Sequence, residues 1–226
     1  MQTQPHHKAP NPKIFGNRHS IAAEYMRQLR DVNLHQDRLL FESNIERLGA
    51  IAGYEISKEL AYLPSKTDTP FGPANTKQLT DNPVIVAVLR AGLPLQRGLQ
   101  SVLAASELGF VAARRTDQRE ADGFRIEISY LATPPLTGKT LIIADTMIAT
   151  GHTITAVYYS LIKAAGKPKH TFIAGIIASQ TALQTLTQKL PNASLYIGQV
   201  DPELNQDFFI VPGLGDAGDI LYGVKV

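Results

Sequence analysis

The sequence predicts an α/β domain with a mainly parallel central sheet flanked by helices, and three observations support this. From residue 84 onward, short apolar segments alternate with segments of helical period, which is typical of strands joined by crossover helices. Most of the apolar segments are continuous rather than alternating, as in strands that are buried on both faces. Finally, 44% of the 226 residues are hydrophobic, enough to build the core of a single domain.

The first third of the chain is predicted to contain a lead-in, two helices and a loop. Residues 1–17 are rich in Pro, Gln, Asn and His, so we expect a flexible or loosely docked lead-in, and residues 18–226 then form the domain. Helical spacing predicts one helix ending near Arg30 and another over residues 36–60. Residues 64–83 contain four prolines and are predicted to be a loop, or else an extended arm.

The rest of the chain is predicted to alternate strands and helices. The segment 124–131 alternates apolar and polar residues and is therefore expected to be half-solvated. The helix over 153–165 is expected to end at Gly166 and Pro168. The predicted strands are 84–89, 108–113, 124–131, 140–144, 171–178 and 194–200, and the predicted helices are 95–107, 153–165 and 181–190.

Composition argues against several classes of function. The 22 basic and 20 acidic residues give a net charge of +2, which provides no reason to expect a nucleic-acid partner. The absence of cysteine excludes disulfides, thiolate catalysis and thiolate metal sites. No apolar run reaches the roughly 18 residues that a membrane helix needs, so we expect no membrane association and a cytoplasmic location.

Residues 140–153 form the segment that says most about function. A buried strand ends at the carboxylate of Asp145, and a short turn containing Thr150 and Gly151 opens the next helix. Ligands bind at the carboxyl ends of strands in open α/β sheets, and the N–H groups at a helix start bind anions. Asp145 would meet sugar hydroxyls, or a Mg²⁺ ion held mainly by a substrate diphosphate.

Spacing alone leaves an alternative open, in which Asp145 and Thr150 only form a turn and cap a helix. The segment lacks the Gly-x-x-x-x-Gly-Lys-Ser/Thr pattern of a P-loop, which argues against ATP hydrolysis of that type. It also lacks the Gly-x-Gly-x-x-Gly spacing of a dinucleotide-binding turn.

The nine residues 145–153, Asp-Thr-Met-Ile-Ala-Thr-Gly-His-Thr, resemble the phosphoribosyl-diphosphate loop of phosphoribosyltransferases, and specifically the one-carboxylate form of the uracil phosphoribosyltransferase family. We call them the phosphate loop. Leu-Arg-Ala-Gly-Leu at 89–93 and Arg115 are similar to two further family positions that follow strands. Residues 201–219 resemble the family's uracil-binding segment. The similarity runs in order from about His19 to Val226, which makes it more specific than any single motif.

The resemblance implies a type I phosphoribosyltransferase fold with an N-terminal helical segment and a C-terminal hood over the base. It implies transfer of the phosphoribosyl group from 5-phosphoribosyl 1-diphosphate (PRPP) to uracil, giving UMP and diphosphate. It further implies Mg²⁺ bound with the substrate and a homodimer or larger homo-oligomer. The helix predicted over 36–60 is a candidate for burial against a partner, although packing in its own core explains it equally well.

The resemblance also assigns the residues of the site. Arg115, Asp145 and Asp216 are the expected catalytic residues. Uracil would be held by main-chain groups of Ile210, Gly215, Asp216 and Ala217, in a segment whose glycines allow close backbone approach; a surface turn is the alternative. The expected PRPP contacts are Arg90, Arg115, Asp145, Thr146, Met147, Ile148, Ala149, Thr150, Gly151, His152, Thr153 and Asp216.

The sequence departs from the family pattern at several of these positions. Thr146 replaces a proline and Thr153 a serine. His152 replaces a glycine, which is strained if the position needs a positive φ, whereas with a helical φ the imidazole can contact phosphate. Arg114 replaces a tyrosine, and either adds charge near the diphosphate or faces water. Phe208 and Phe209 replace Gly-Tyr. These changes keep a second function open, a non-catalytic or weakly active nucleotide-binding regulator on the same fold.

Overall fold

The computed structural model describes residues 12–17, 19–120 and 123–224. A seven-stranded sheet forms its centre, in the order β1-β9-β8-β7-β4-β5-β6, and all neighbouring pairs are parallel except β5 with β6. The α/β prediction with a mainly parallel sheet is therefore confirmed. The strands of this sheet are β1 (Lys13–Ile14), β4 (Val84–Leu89), β5 (Glu107–Glu120), β6 (Gly123–Ala132), β7 (Thr140–Ile148), β8 (His170–Ser179) and β9 (Ala193–Asp201).

Helices cover both faces of the sheet. On one face, α1 (Ile21–Arg30), α2 (Arg38–Ser57) and α3 (Gly92–Val102) share a core with the C-terminal α6 (Ala217–Tyr222). On the other face, α4 (His152–Ala165) and α5 (Gln180–Lys189) pack over a second core. A short 3₁₀ helix (Val32–Leu34) joins α1 to α2. No helix in the described part of the chain is both long and apolar enough to cross a bilayer.

The central strands form where the sequence is continuously apolar. All of β4 except its last residue is buried, because both faces of the sheet are covered by helices. Side chains cap the starts of α2 and α5: Asp37 accepts a hydrogen bond from the N–H of Leu40, and Ser179 accepts one from the N–H of Ala182.

The prediction of a loop over residues 64–83 was wrong. The chain forms an antiparallel hairpin, β2 (Tyr62–Thr69) with β3 (Gly72–Leu79), which matches the alternative of an extended arm. Its prolines pointed to a loop, but a two-stranded ribbon has outward-facing N–H groups that need no partner, so proline is tolerated there. Most residues of the hairpin are exposed, and Phe71 in its turn is fully exposed.

Several predicted boundaries also move. The helix predicted over 95–107 begins at Gly92 and ends at Val102, and the next strand extends to Glu120. The end of the expected flexible lead-in is docked, since Lys13–Ile14 pair with β9 and Phe15 is buried. Residues 1–11 of that predicted lead-in lie outside the described residues.

Candidate functional site

Three charged side chains predicted for the site come from the same edge of the sheet. Because β4 pairs in parallel with both β5 and β7, their carboxyl ends lie side by side. Arg90 follows β4, Asp145 lies near the end of β7, and Arg115 lies on β5 beyond its paired segment with β4. The sequence had suggested that Arg115 follows the strand, but β5 continues past this residue, so Arg115 lies within the strand.

The phosphate loop is more extended than predicted. The strand β7 continues to Ile148, and only Ala149, Thr150 and Gly151 separate it from α4. Gly151 adopts a left-handed conformation with φ 82° at the N-cap of α4. His152 is the first helical residue, and Phe208 is the only non-glycine residue with positive φ in the described chain. Position 152 therefore needs only a helical φ, and of the two alternatives for His152, the strained one was wrong.

A neighbouring helix fixes the far side of this loop. The hydroxyl of Ser179, at the N-cap of α5, donates to the carbonyl oxygen of Ala149 at 2.5 Å. The Cα of Gly151 lies so close to α5 that an added Cβ would stand 3.2 Å from the carbonyl oxygen of Ala182. The N–H groups at the start of α4 thus have a fixed position beside the end of β7, as an anion site requires.

Asp145 is a carboxyl group with an altered pKa. Burial raises its pKa from 3.8 to about 7, against hydrogen bonds from the N–H groups of Met147 and Thr146 and the positive charge of Arg115, all of which lower it. The side chain keeps intermediate exposure, so a ligand at this edge can reach it. A carboxyl group that titrates near neutral pH at the end of a central strand is typical of a functional site.

Thr146 occupies its position without satisfying its hydroxyl. The residue is 1% exposed, and its Oγ1 has no hydrogen-bond partner among the described residues. A proline, which the family pattern has here, would bring no polar side-chain atom into this space. The substitution therefore adds a buried hydroxyl that gains no hydrogen bond from the described residues. Thr153, by contrast, retains the hydroxyl of the serine it replaces.

Arg90 contacts the C-terminal segment. Its Nη2 lies 3.0 Å from Oδ1 of Asp219, and its guanidinium lies 5.8 Å from the ring centroid of Tyr222. The peptide bond between Leu89 and Arg90 is cis. The acidic partner of Arg90 on α6 is thus Asp219, which had not been predicted as a site residue. This contact links the edge that carries Asp145 to the C-terminal segment.

Arg114 and Arg115 differ in their partners. Arg114 pairs with Glu127 across β5 and β6 at 2.6 Å, and its side chain is 69% exposed. The position that the family fills with tyrosine therefore faces water here. The positive charge of Arg115 lowers the pKa of Asp145, and its assignment as the site arginine of the pair stays a prediction.

The C-terminal residues 210–217, which we call the base-recognition loop, combine buried and open positions. Ile210 and Ala217 are buried at 6% and 1% exposure, and Gly215 is exposed with φ 89°. Asp216 caps α6 through one oxygen, Oδ1, which accepts from the N–H groups of Gly218 and Asp219. Its Oδ2 takes no part in this cap, and the residue is partly exposed.

Phe208 stands in the turn before the base-recognition loop. This turn joins two short strands, β10 (Glu203–Leu204) and β11 (Ile210–Val211). Phe208 has φ 61°, in the left-handed region that favours glycine, which is the residue that the family has here. The departure therefore bears on backbone conformation as well as on the hydroxyl lost at Phe209.

Sequence reasoning missed two side chains that support the site. Ser179 lay between the strand predicted over 171–178 and the helix predicted over 181–190 and was given no role, although a serine directly before an amphipathic helix signals a cap. Arg30 was identified only as the end of a helix. It forms a bidentate ion pair with Asp201, at 2.7 and 2.9 Å, beneath the base-recognition loop. No local pattern links these two residues, since they are 171 positions apart.

The described residues contain no group of three His, Cys, Asp or Glu side chains placed to hold a metal ion. At the edge described above, Asp145 offers one carboxylate. This donor set fits a magnesium ion whose other ligands come from a substrate and water, which is how Mg²⁺ is commonly held with phosphates.

The chain is similar throughout to known proteins. Residues 17–224 match the family model of uracil phosphoribosyltransferase. The chain is 41% identical over 213 residues to a uracil phosphoribosyltransferase of Porphyromonas gingivalis, covering 94% of this chain and 98% of the relative. It is 37% identical to a uracil phosphoribosyltransferase of Thermococcus sibiricus, covering 90% and 86%.

Solved structures agree with this result. The AQ2163 protein from Aquifex aeolicus superposes with a TM-score of 0.82 at 27% identity, covering 94% of this chain and 99% of that chain. A hypoxanthine-guanine phosphoribosyltransferase from Bacillus anthracis shares the fold, with a TM-score of 0.50 at 13% identity, covering 72% and 80%. The family match over nearly the whole chain confirms the resemblance, and the chain belongs to the uracil phosphoribosyltransferase family.

Proposed function

We propose that the protein transfers the phosphoribosyl group of PRPP to uracil, forming UMP and releasing diphosphate. The observation that carries this proposal is the meeting of two segments at one edge of the sheet. The phosphate loop places the start of α4 beside Asp145, and Arg90 joins this edge to the C-terminal segment through Asp219. The names and coverage of the relatives support the same activity.

We assign PRPP to the phosphate loop and its neighbours. Backbone N–H groups at the start of α4 would bind the 5′-phosphate, with the hydroxyls of Thr150 and Thr153 as further donors. Asp145 would accept hydrogen bonds from the ribose hydroxyls. Arg90 and Arg115 would bind the diphosphate, for which the forked guanidinium geometry is suited. His152, on the first turn of α4, would add its imidazole to the phosphate contacts.

We assign uracil to the base-recognition loop. Main-chain groups of Ile210, Gly215 and Ala217 would match the alternating donors and acceptors of the pyrimidine edge, and Asp216 would contact both the base and PRPP. Cytosine has an amino group where uracil has a carbonyl, so one buried partner would remain unsatisfied, at about 1–3 kcal/mol.

The reaction needs no protein nucleophile. The base nitrogen would displace diphosphate from the anomeric carbon, through a state in which positive charge develops on the sugar. The proton that this nitrogen loses would pass to water or to the released diphosphate. The protein would contribute alignment of the two substrates and stabilisation of the departing negative charge by Arg115. Magnesium, held mainly by the diphosphate, would neutralise further charge on the leaving group.

The direct test is formation of UMP from uracil, PRPP and Mg²⁺ by the purified protein. We expect the wild type to form UMP. Arg115→Ala should lose activity on the order of a hundredfold or more, because it removes the positive charge that would stabilise the leaving diphosphate. Arg114→Ala is the matched control, since Arg114 itself faces water and pairs with Glu127. Unchanged turnover of Arg115→Ala at saturating substrates would remove Arg115 from the mechanism. Absence of product with any pyrimidine, together with tight nucleotide binding, would indicate the regulator instead.

We also propose that the protein forms a homo-oligomer. The helix α2 buries Phe41, Ile45, Leu48, Ala52 and Ile56 in its own core, and we take the more exposed hairpin β2–β3 as the better candidate for contact with a second copy. A two-stranded hairpin is marginally stable alone, and this one has little of the protein packed against it. The boundary between a lead-in at 1–17 and a domain at 18–226, and a cytoplasmic location, stay predictions.

A further inference from the structure

Arg30, at the last position of α1, lies outside the residues assigned to either substrate. Its guanidinium donates four hydrogen bonds: Nε to Oε1 of Gln199 at 2.9 Å, Nη1 to Oδ2 of Asp201 at 2.9 Å and to the carbonyl oxygen of Gly213 at 2.8 Å, and Nη2 to Oδ1 of Asp201 at 2.7 Å. The side chains of Arg30 and Asp201 are 22% and 7% exposed. This is a partly buried, bidentate ion pair with good geometry.

The same ion pair binds both main-chain polar groups of Gly213. While Arg30 binds the carbonyl oxygen of Gly213, Oδ2 of Asp201 accepts a hydrogen bond from the N–H of Gly213 at 2.9 Å. Gly213 has φ 61° and is buried, and an added Cβ would overlap the carbonyl oxygen of Ile210. The backbone orientation at Gly213 is therefore fixed on both sides by Arg30 and Asp201.

Gly213 divides the base-recognition loop into its two contacting parts. Ile210 lies before it, and Gly215, Asp216 and Ala217 lie after it. Recognition by main-chain groups requires those groups to be held within about 0.5 Å of the productive geometry. We propose that Arg30 positions the base-recognition loop for uracil, acting through Asp201 and Gly213. This proposal rests on the function proposed above.

The phosphate loop is held by different contacts. Its end is fixed by the hydrogen bond from Ser179 to the carbonyl oxygen of Ala149 and by the packing of Gly151 against α5. None of the four hydrogen bonds of Arg30 reaches residues 145–153. Removal of Arg30 should therefore affect uracil more than PRPP, which a general loss of structure would not do.

The test compares Arg30→Met with the wild type in the UMP-forming assay. We expect the KM for uracil to rise about tenfold, because several main-chain contacts to the base would be displaced modestly. The KM for PRPP should change by less than about twofold. The preference for uracil over cytosine should fall as well. Arg27→Met is the matched control, because Arg27 lies on the same helix, pairs with Glu24 and Asp31, and has a side chain that is 58% exposed. The control should leave both constants at wild-type values.

Two further variants separate positioning from stability. Arg30→Met leaves the carboxylate of Asp201 buried without its partner, which lowers stability. Adding Asp201→Asn removes that charge, so the double variant should recover much of the thermal stability while its KM for uracil stays high. Arg30→Lys keeps the charge but lacks the fork needed to bind Asp201 and Gly213 together, so its KM for uracil should lie between those of Arg30→Met and the wild type.

The results that would overturn the proposal are equally specific. A wild-type KM for uracil in folded Arg30→Lys and in the folded double variant would show that Arg30 has only a structural role. Equal increases in the two KM values would show the same. A wild-type protein that forms no UMP would instead overturn the proposed function.

Discussion

At the scale of single residues, the unpaired hydroxyl of Thr146 predicts a stabilising substitution. Thr146→Val keeps the shape and the β-branch but removes a buried hydroxyl that has no partner in the described structure. We expect the free energy of unfolding in urea to rise by about 1 kcal/mol. Thr140→Val is the matched control on the same strand, also 1% exposed, because its hydroxyl donates to Asp81 at 2.7 Å. The control should have a lower free energy of unfolding than the wild type. A lower free energy of unfolding in both variants would contradict the conclusion that the hydroxyl of Thr146 has no partner.

Asp145 makes stability depend on pH. Its pKa is raised in the folded state from 3.8 to about 7, so between these values the unfolded chain has released a proton that the folded chain keeps. The stability contribution of this group is therefore complete below about pH 4 and is lost as the pH rises through about 7.

We expect Asp145→Asn, which cannot ionise, to be more stable than the wild type near pH 8, by on the order of a few kcal/mol. The difference should shrink steadily as the pH falls toward about 5. Urea unfolding across this range measures it, with the exposed hairpin variant Asp68→Asn as control. A difference that does not vary with pH would show that Asp145 does not titrate as described.

At the scale of elements, the contact between α2 and α3 depends on glycines that let the helix backbones approach. A Cβ at Gly98 would overlap the carbonyl oxygen of Glu46, one at Gly49 would stand 2.6 Å from that of Leu95, and one at Gly53 would stand 3.3 Å from that of Leu99. The helices have to separate to accept the first two side chains, but the third needs only a small adjustment.

This geometry predicts a ranked series of alanine substitutions. Gly98→Ala should destabilise most, by about 2 kcal/mol or more, and Gly49→Ala less. At Gly53→Ala the gain in helix propensity, about 1 kcal/mol, should offset most of the crowding. Chemical denaturation of the three variants tests the order. Equal losses at the three positions would show that the distances across the helix contact do not determine the effect.

The elements also show which features a sequence can reveal. Continuous apolar segments identified β4, β7, β8 and β9 because burial on both faces leaves a local composition signal. The hairpin over residues 62–79 was missed, since its prolines suppress a strand prediction while its exposed strands carry no apolar alternation. The helix predicted to start at residue 95 begins at Gly92. A Cβ added there would stand 2.5 Å from the carbonyl oxygen of Ala144 on the strand β7. Such tertiary constraints have no local signature.

At the scale of the whole molecule, the candidate site divides in the same way. Motif resemblance found the residues on the phosphate loop and the base-recognition loop, because each is contiguous in sequence. It did not find the two ion pairs that involve the C-terminal part of the chain, Arg30 with Asp201 and Arg90 with Asp219, since each joins residues more than a hundred positions apart. It named Asp216 as a site residue but did not predict the helix α6 that begins after it, nor that Oδ1 is occupied by the cap of that helix.

The exposed apolar surface of the whole molecule predicts self-association. Leu63 and Phe71 on the hairpin are 61% and 102% exposed, on a ribbon that has few stabilising contacts with the rest of the described chain. We expect a dimer at micromolar concentration in analytical ultracentrifugation, and a shift toward monomer in Phe71→Ser combined with Leu63→Ser. Tyr159→Ser removes a comparably exposed side chain, 54%, from α4 on the opposite face of the sheet, and should leave the dimer intact. A monomeric wild type, or a dimer that the hairpin variant does not weaken, would show that the hairpin is not the contact between copies.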